Sequence, residues 1–262
     1  MLRRTVLAIA LAVLAVSCSR KEPGANEPLK IAAASDLAAA FDEVGKAFEK
    51  ETGQKVVFTF GSTGLISKQI LEGAPYDVFA AANVSFVDEV VAAGECDKST
   101  QALYARGRIV AWTGKGARAP KTLDDLADPA FAKVAIANPE HAPYGRAAKE
   151  ALIKAGVYDR LQKEKRLVFG ENVSQALQFG QSGNADVAIV ALSLAVVADG
   201  DYFLVDEAMH APLDQALVVC SDGAKAEKAR AFADYVNSAS GRAIMKKYGF
   251  LLPGEKTASA GD

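Results

Sequence analysis

The stretch LKIAAASDLAAAF, residues 29–41, changes its period in the middle, and that change decides the fold. LKIAAAS (29–35) is a short apolar run of strand length. Leu37, Phe41, Val44 and Phe48 then recur at helical spacing until Gly53 stops the helix. The same handover repeats downstream. KVVFTF (55–60) leads into a helix over 65–72, and YDVFAAA (76–82) into FVDEVVAAG, after which RIVAWT (108–113) reads as a strand leaving the unit. A second set follows: KVAIAN (133–138) with a helix over 145–156, RLVFG (166–170) with a helix over 173–179, then DVAIVAL (186–192). Strands alternating with amphipathic helices predict mostly parallel sheets covered on both faces, an α/β protein.

QALVVC (215–220) is expected to pair with RIVAWT, and one or two helices over 224–248 to return to the first unit. The expected organisation is therefore two lobes. The first takes residues 29–107 and 224–253, the second 108–223, with a tail over 254–262. Such a chain places its binding site between the lobes, at strand C-terminal ends.

Residues 1–17 carry Arg3 and Arg4 and then an apolar run from Val6 to Val16, the pattern of a secretory signal. The run is short of the ~20 residues a membrane span needs. Ala15-Val16-Ser17-Cys18 resembles a bacterial lipobox, so Cys18 is expected to be lipidated as the first mature residue. Cleavage without lipidation is the alternative. Residues 18–28 suit a flexible tether, and the expected location is periplasmic or elsewhere in the cell envelope, with the membrane reached only through the lipid.

The chain has 262 residues, half of them apolar, with 30 Lys and Arg against 32 Asp and Glu. Loss of the leader leaves 28 against 32, a net charge of −4. The signs are interspersed, so no basic stripe argues for nucleic acid. Long-range charge will not draw anions in, and an anion site has to be built locally. With Cys18 assigned to the lipobox, Cys96 and Cys220 remain; a secreted protein permits a bridge, whereas ALVVC reads as a buried strand, so pairing stays open. His141 and His210, the two histidines, are too few for a histidine-rich metal site.

Four handovers from strand to helix share one chemistry: Ser35-Asp36, Gly61-Ser62-Thr63-Gly64, Asn138 to Gly145 around Tyr144, and Asn172-Val173. Helix N-termini present amides without intrahelical partners and about half a positive charge. Several of them converging on one cleft form an anion site without a full counter-charge. Ser35, Ser62 and Thr63 add hydroxyl donors, and Gly61 and Gly64 permit close backbone approach. Such a site selects a compact, deprotonated oxyanion. Taken singly, each residue has an ordinary reading: Ser35, Ser62, Thr63 and Asn172 as caps, Tyr144 as a surface turn residue, Arg146 as a solvated charge. Spacing alone therefore reaches only a small-ligand-binding α/β protein.

IAAASDLAAAFDEVGKAFEKETG, FGSTGLISKQILEGAPYDVFAAA, YARGRIVAWT, AIANPEHAPYGRAAKEAL and SGRAIMKKYGFLLP together resemble the periplasmic molybdate-binding proteins of ABC importers, in family order from about residue 29 to 253. The resemblance implies a two-lobed periplasmic-binding-protein fold of the type II kind, each lobe a mixed, mostly parallel sheet flanked by helices. It implies a protein that binds molybdate, usually tungstate too, and delivers it to a membrane permease. Ser35, Thr63 with Ser62 adjacent, Tyr144, and Val173 through its backbone N–H match family ligand positions; Asn172 is a possible addition. Molybdenum enters only as the oxyanion, with no cofactor and no separate metal ligand, and the protein is expected to be a monomer. Three departures stand out. Ala191 occupies a position where some members have a tyrosine, Thr63 replaces the usual serine, and Asp36 follows Ser35. A carboxylate facing a dianion is repulsive, so Asp36 is expected to offer only its backbone N–H, or to cap the helix with its side chain outward.

A sulfate-binding protein is the alternative within the class, because selection among tetrahedral dianions rests on cavity size. Phosphate is less favoured because its residual proton wants a carboxylate acceptor, for which Asp36 is the one candidate. A serine-dependent hydrolase using Ser62 is the distant alternative. It lacks a G-x-S-x-G elbow, a recognisable triad pattern and phosphate-loop spacing, so no enzymatic activity is expected.

Overall fold

The computed structural model describes residues 27–255. The leader, Cys18 and the end of the tail lie outside the described residues. Two five-stranded sheets of mixed direction, each flanked by helices, form two lobes.

The first sheet is built around β1 (Leu29–Ala34), which pairs in parallel with β2 (Val56–Gly61) and β3 (Val78–Ala81). β1 is buried along nearly its whole length because neighbours cover it on both edges, whereas β2, at the sheet edge, alternates between half-buried and exposed residues. Alanines at 32, 33 and 34 leave room for helices to press against the sheet. The handover after β1 is a single 3₁₀ turn over Ser35–Leu37, and α1 (Ala38–Thr52) begins only after it. Gly53 ends α1 in the left-handed conformation (φ 72°), its N–H returning to the Glu49 carbonyl at 2.9 Å. α2 (Thr63–Leu71) and α3 (Val84–Ala92) complete this part of the lobe.

The chain crosses to the second lobe where β4 (Ala102–Gly107), in the first sheet, gives way across Arg108 to β5 (Ile109–Gly114), in the second. The second sheet sets β6 (Val134–Ala137) parallel to β7 (Leu167–Gly170) and β8 (Val187–Ala191). Its helices are α4 (Pro143–Lys154), α5 (Tyr158–Lys163), α6 (Val173–Gln181) and the short α7 (Leu192–Ala195). β5 runs antiparallel between β8 and β9 (Gly200–Leu204).

The return crossing differs from the sequence expectation. QALVV (215–219) lies in β10 (Leu213–Val219), which pairs with β3 and β4 rather than with RIVAWT. The chain thus regains the first sheet at Leu213, ahead of the boundary placed at 223. The reason is topological: β5 already has β8 and β9 on its two edges, so it has no edge to offer. β9 and β4 carried too little local signal to be read as separate strands. α8 (Gly223–Asn237) and α9 (Ala239–Lys247) pack on α1, where Phe232 meets Phe41 and Phe48 edge-on at 5.9 and 5.3 Å. Each such pair adds about 0.5–1.5 kcal/mol beyond burial. The open question of the cysteines has an answer: a Cys96–Cys220 disulfide ties the segment after α3 to the end of β10.

Candidate functional site

The lobes meet over a small cleft cavity. Its walls come from the four predicted handovers. Ala34, Ser35 and Asp36 follow β1; Gly61, Ser62 and Thr63 join β2 to α2; Ala142, Pro143 and Tyr144 open α4; Asn172 and Val173 open α6. No lysine or arginine lines it, and among the described residues no cluster of His, Cys, Asp and Glu would hold a metal ion. Every predicted site residue reaches this one place, because all four handovers lie at strand C-terminal ends that face one another across the seam.

The hydroxyls are not equivalent, and their partners sort them. Thr63 Oγ1 accepts from the Ala82 amide at 3.2 Å, which leaves its hydrogen to give. Ser35 Oγ accepts a long contact of 3.4 Å from the Ser174 amide and likewise keeps its hydrogen. Ser62 is spent across the seam: Oγ donates to the His141 carbonyl at 2.9 Å and lies 2.8 Å from His141 Nδ1. Val173 is the first residue of α6, so its amide has no intrahelical acceptor. Asn172 is the cap, its Oδ1 accepting from Gln175 N at 3.0 Å. Two hydroxyl hydrogens and helix-start amides, those of Thr63 and Val173 among them, are available to a bound anion.

Gly64 does something other than approach a ligand. Its N–H donates to the His141 carbonyl at 3.0 Å, and a Cβ there would sit 2.6 Å from that oxygen. The glycine lets the two lobes touch. Ser174 Oγ to Ser35 O (3.0 Å) and Ser193 Oγ to Asp36 O (2.7 Å) are further bonds across the seam, so the lobes are shut on each other. His141, Ser174 and Ser193 were not singled out from sequence. The sequence around the histidine shows neither metal-ligand nor triad spacing, and a serine one residue inside a helix carries no signal of its own.

Asp36 departs most from expectation. Its side chain points inward and is wholly buried. Oδ2 accepts from Tyr144 Oη at 2.9 Å and from Gln215 Nε2 at 2.7 Å, while Gln215 Oε1 accepts from Tyr104 Oη at 2.7 Å. The 3₁₀ turn makes no side-chain cap at its start, so nothing holds the carboxyl outward, and three elements converge to hold it in. Burial pushes its pKa up from 3.8 to about 6, opposed by the bonds from Gln215 and Tyr144 and by its own backbone amide. That amide lies close, yet Oδ1 makes no hydrogen bond of sound geometry. Burial, together with the charge on Asp36, drives the Tyr104 and Tyr144 phenols well above their usual pKa, so both stay neutral donors. Tyr144 therefore lines the cavity as expected, but its one hydrogen goes to Asp36. Ala191 ends β8 as a fully buried residue and brings no hydroxyl.

Ser62 and His141 have the atoms of a nucleophile and a base. Among the described residues no carboxylate holds the other ring nitrogen, and the serine hydrogen is directed at a carbonyl. The pair fastens the lobes rather than forming a triad.

This architecture, two α/β lobes closed over a cavity of neutral donors, is that of a binding protein. Residues 29–251 match the model of the bacterial extracellular solute-binding proteins, and the chain belongs to that family. It is 34% identical to the molybdate-binding protein ModA of Rhodobacter capsulatus over 87% of this chain and 90% of that one. It is 32% identical to ModA of Azotobacter vinelandii, over 96% of this chain and 98% of the relative. The solved periplasmic molybdate-binding protein of Azotobacter vinelandii superposes with a TM-score of 0.80 at 30% identity, covering 86% of this chain and 99% of that one. The sulfate-binding protein SubI of Mycobacterium tuberculosis H37Rv shares the fold, with a TM-score of 0.72 at 15% identity, 87% of this chain and 88% of that one. The fold is the two-lobed periplasmic-binding-protein fold, and the relatives are solute-binding proteins rather than enzymes.

Proposed function

We propose that the protein captures molybdate, and tungstate too, in the cavity between its lobes and presents it to the membrane permease of an ABC importer. The observation that carries this reading is the sorting of donors. Ser35 and Thr63 keep hydroxyl hydrogens and α6 offers its first amide, with no cation to favour phosphate chemistry. Likeness to proteins named for molybdate, at 34% and 32% identity over most of both chains, supports the choice of ligand. Ser62 and Tyr144 bound the same cavity and hold the lobes and Asp36 in place.

Binding works by population shift: an anion touched by both lobes is held better when they are shut, so the permease meets a closed, loaded protein. No cofactor takes part. Calorimetry with molybdate, tungstate, sulfate and phosphate tests the assignment. Molybdate and tungstate are expected to bind far more tightly than the other two, and sulfate binding as tightly as molybdate overturns it. The protein acts as a monomer in the cell envelope, tethered by lipid on Cys18. Labelled fatty acid is expected to enter the wild-type chain and not the Cys18→Ser chain, and absence of label from both rejects the anchor.

A further inference from the structure

A buried carboxyl beside an anion cavity is an unexpected neighbour, and the hydrogen bonds around Asp36 define which form of it fits. Its Oδ2 already receives two donors, from Tyr144 and Gln215. Its Oδ1 is buried and makes no hydrogen bond of sound geometry, its own backbone amide being the near donor, and Asp36 is the one cavity-lining residue with such an atom. An ionised Oδ1 without water and without a well-aligned donor is costly by itself. Beside a dianion it adds like-charge repulsion in a dry site. A protonated Oδ1 reverses both: it becomes a donor in need of an acceptor.

We infer that Asp36 meets the bound oxyanion as a neutral carboxylic acid, giving the O–H of Oδ1 to a ligand oxygen while Oδ2 accepts from Tyr144 and Gln215. The carboxyl is then a third side-chain donor beside Ser35 and Thr63. Above the carboxyl's own pKa the balance is one carboxylate, one dianion and one proton from water, giving one acid–dianion complex. The inference rests on the molybdate reading.

The surroundings leave few other sources of the proton. Asp36 is faced by Tyr144 from α4, Tyr104 from β4, Gln215 from β10 and Ser193 from α7. No Lys, Arg, Asp, Glu or His from α1, α6 or β2 acts on it. His141 touches Ser62 on another part of the cavity wall and makes no hydrogen bond to Asp36. The Asp36 pKa of about 6 without ligand places the carboxyl mostly ionised at pH 7 to 8. A dianion beside it raises the pKa further, so binding in that range takes a proton up.

The test is calorimetry of wild-type protein with molybdate between pH 7 and 8, in buffers of different ionisation enthalpy. The expected result is uptake approaching one proton per molybdate and a Kd rising about tenfold from pH 7 to pH 8. Asp36→Asn, whose amide donates without titrating, is expected to bind with no proton uptake and a flat Kd. His141→Gln is expected to keep the wild-type slope. Tight wild-type binding without proton uptake overturns the inference, as does uptake that persists in Asp36→Asn or vanishes in His141→Gln. If Asp36→Asn fails to fold, the wild-type proton count decides alone. Absence of molybdate binding at every pH overturns the ligand reading and this inference with it, an outcome distinct from binding without a proton.

Discussion

The two lobes share one blueprint and furnish their halves of the cleft differently. Each sheet sets three parallel strands beside an antiparallel crossing strand, in the orders β2-β1-β3-β10-β4 and β7-β6-β8-β5-β9. The first lobe lines the cavity with Ser35, Asp36, Ser62 and Thr63. The second contributes the start of α6, the Tyr144 phenol and apolar Ala142 and Pro143. Side-chain donors therefore sit in one lobe, while the other supplies a backbone amide and the groups that hold the first lobe's side chains. A ligand gripped mainly by one wall still needs the second wall to shut, and the neutral bonds across the seam set how readily it does.

The comparison breaks most severely at Gly64, where the two walls touch. Gly64→Val puts side-chain atoms against the His141 carbonyl, which a Cβ alone would approach to 2.6 Å. The lobes are then held apart, and the molybdate Kd is expected to rise on the order of a hundredfold by loss of the competent state, read by calorimetry. An unchanged melting temperature of the ligand-free protein shows that the loss is closure and not folding. Unchanged affinity rejects the contact as a seam.

Removing a first-lobe donor has the next largest effect. Ser35→Ala and Thr63→Val each delete a hydrogen bond to a charged group, about 1.5–3 kcal/mol, or roughly 10- to 150-fold in Kd. Thr63→Ser keeps the hydroxyl and should bind within a few-fold of wild type. A Thr63→Val protein that binds normally would show that the free hydrogen on Oγ1 is not used.

Ser62→Ala sharpens the comparison because Ser62 is adjacent to Thr63 yet bonds to the other lobe. The loss is one neutral hydrogen bond, about 0.5–1.5 kcal/mol, or roughly 2- to 10-fold. Its signature is a shift in closure, visible in small-angle scattering of the ligand-free protein. A loss as large as that at Thr63 would mean both hydroxyls reach the ligand.

Much of this was legible in the residues. Strand-to-helix handovers at Ser35, Thr63, Tyr144 and Val173 follow from hydrophobic period and glycine placement, both local properties. All four reach the cavity because parallel strands put their C-terminal ends on one side. The pairing of β10 was not legible: an apolar run such as ALVVC fits either sheet, and only the occupied edges of β5 exclude one. The inward turn of the Asp36 carboxyl was not legible for a similar reason. Its neighbours in sequence give no sign of Tyr144, Gln215 and Tyr104, which lie far along the chain and make an inward carboxyl tolerable.

The sequence by itself determined the alternation of elements, the scarcity of cationic residues at the handovers and the set of hydroxyls available to an anion. Those are short-range facts of residue type and spacing. Only the tertiary structure decided which hydroxyl keeps its hydrogen, that Ser62 and Gly64 serve the seam, and that a carboxyl lies inside the site. Hydrogen bonding is a matter of which groups are adjacent in space, and each of these assignments depends on partners from the other lobe or from distant strands.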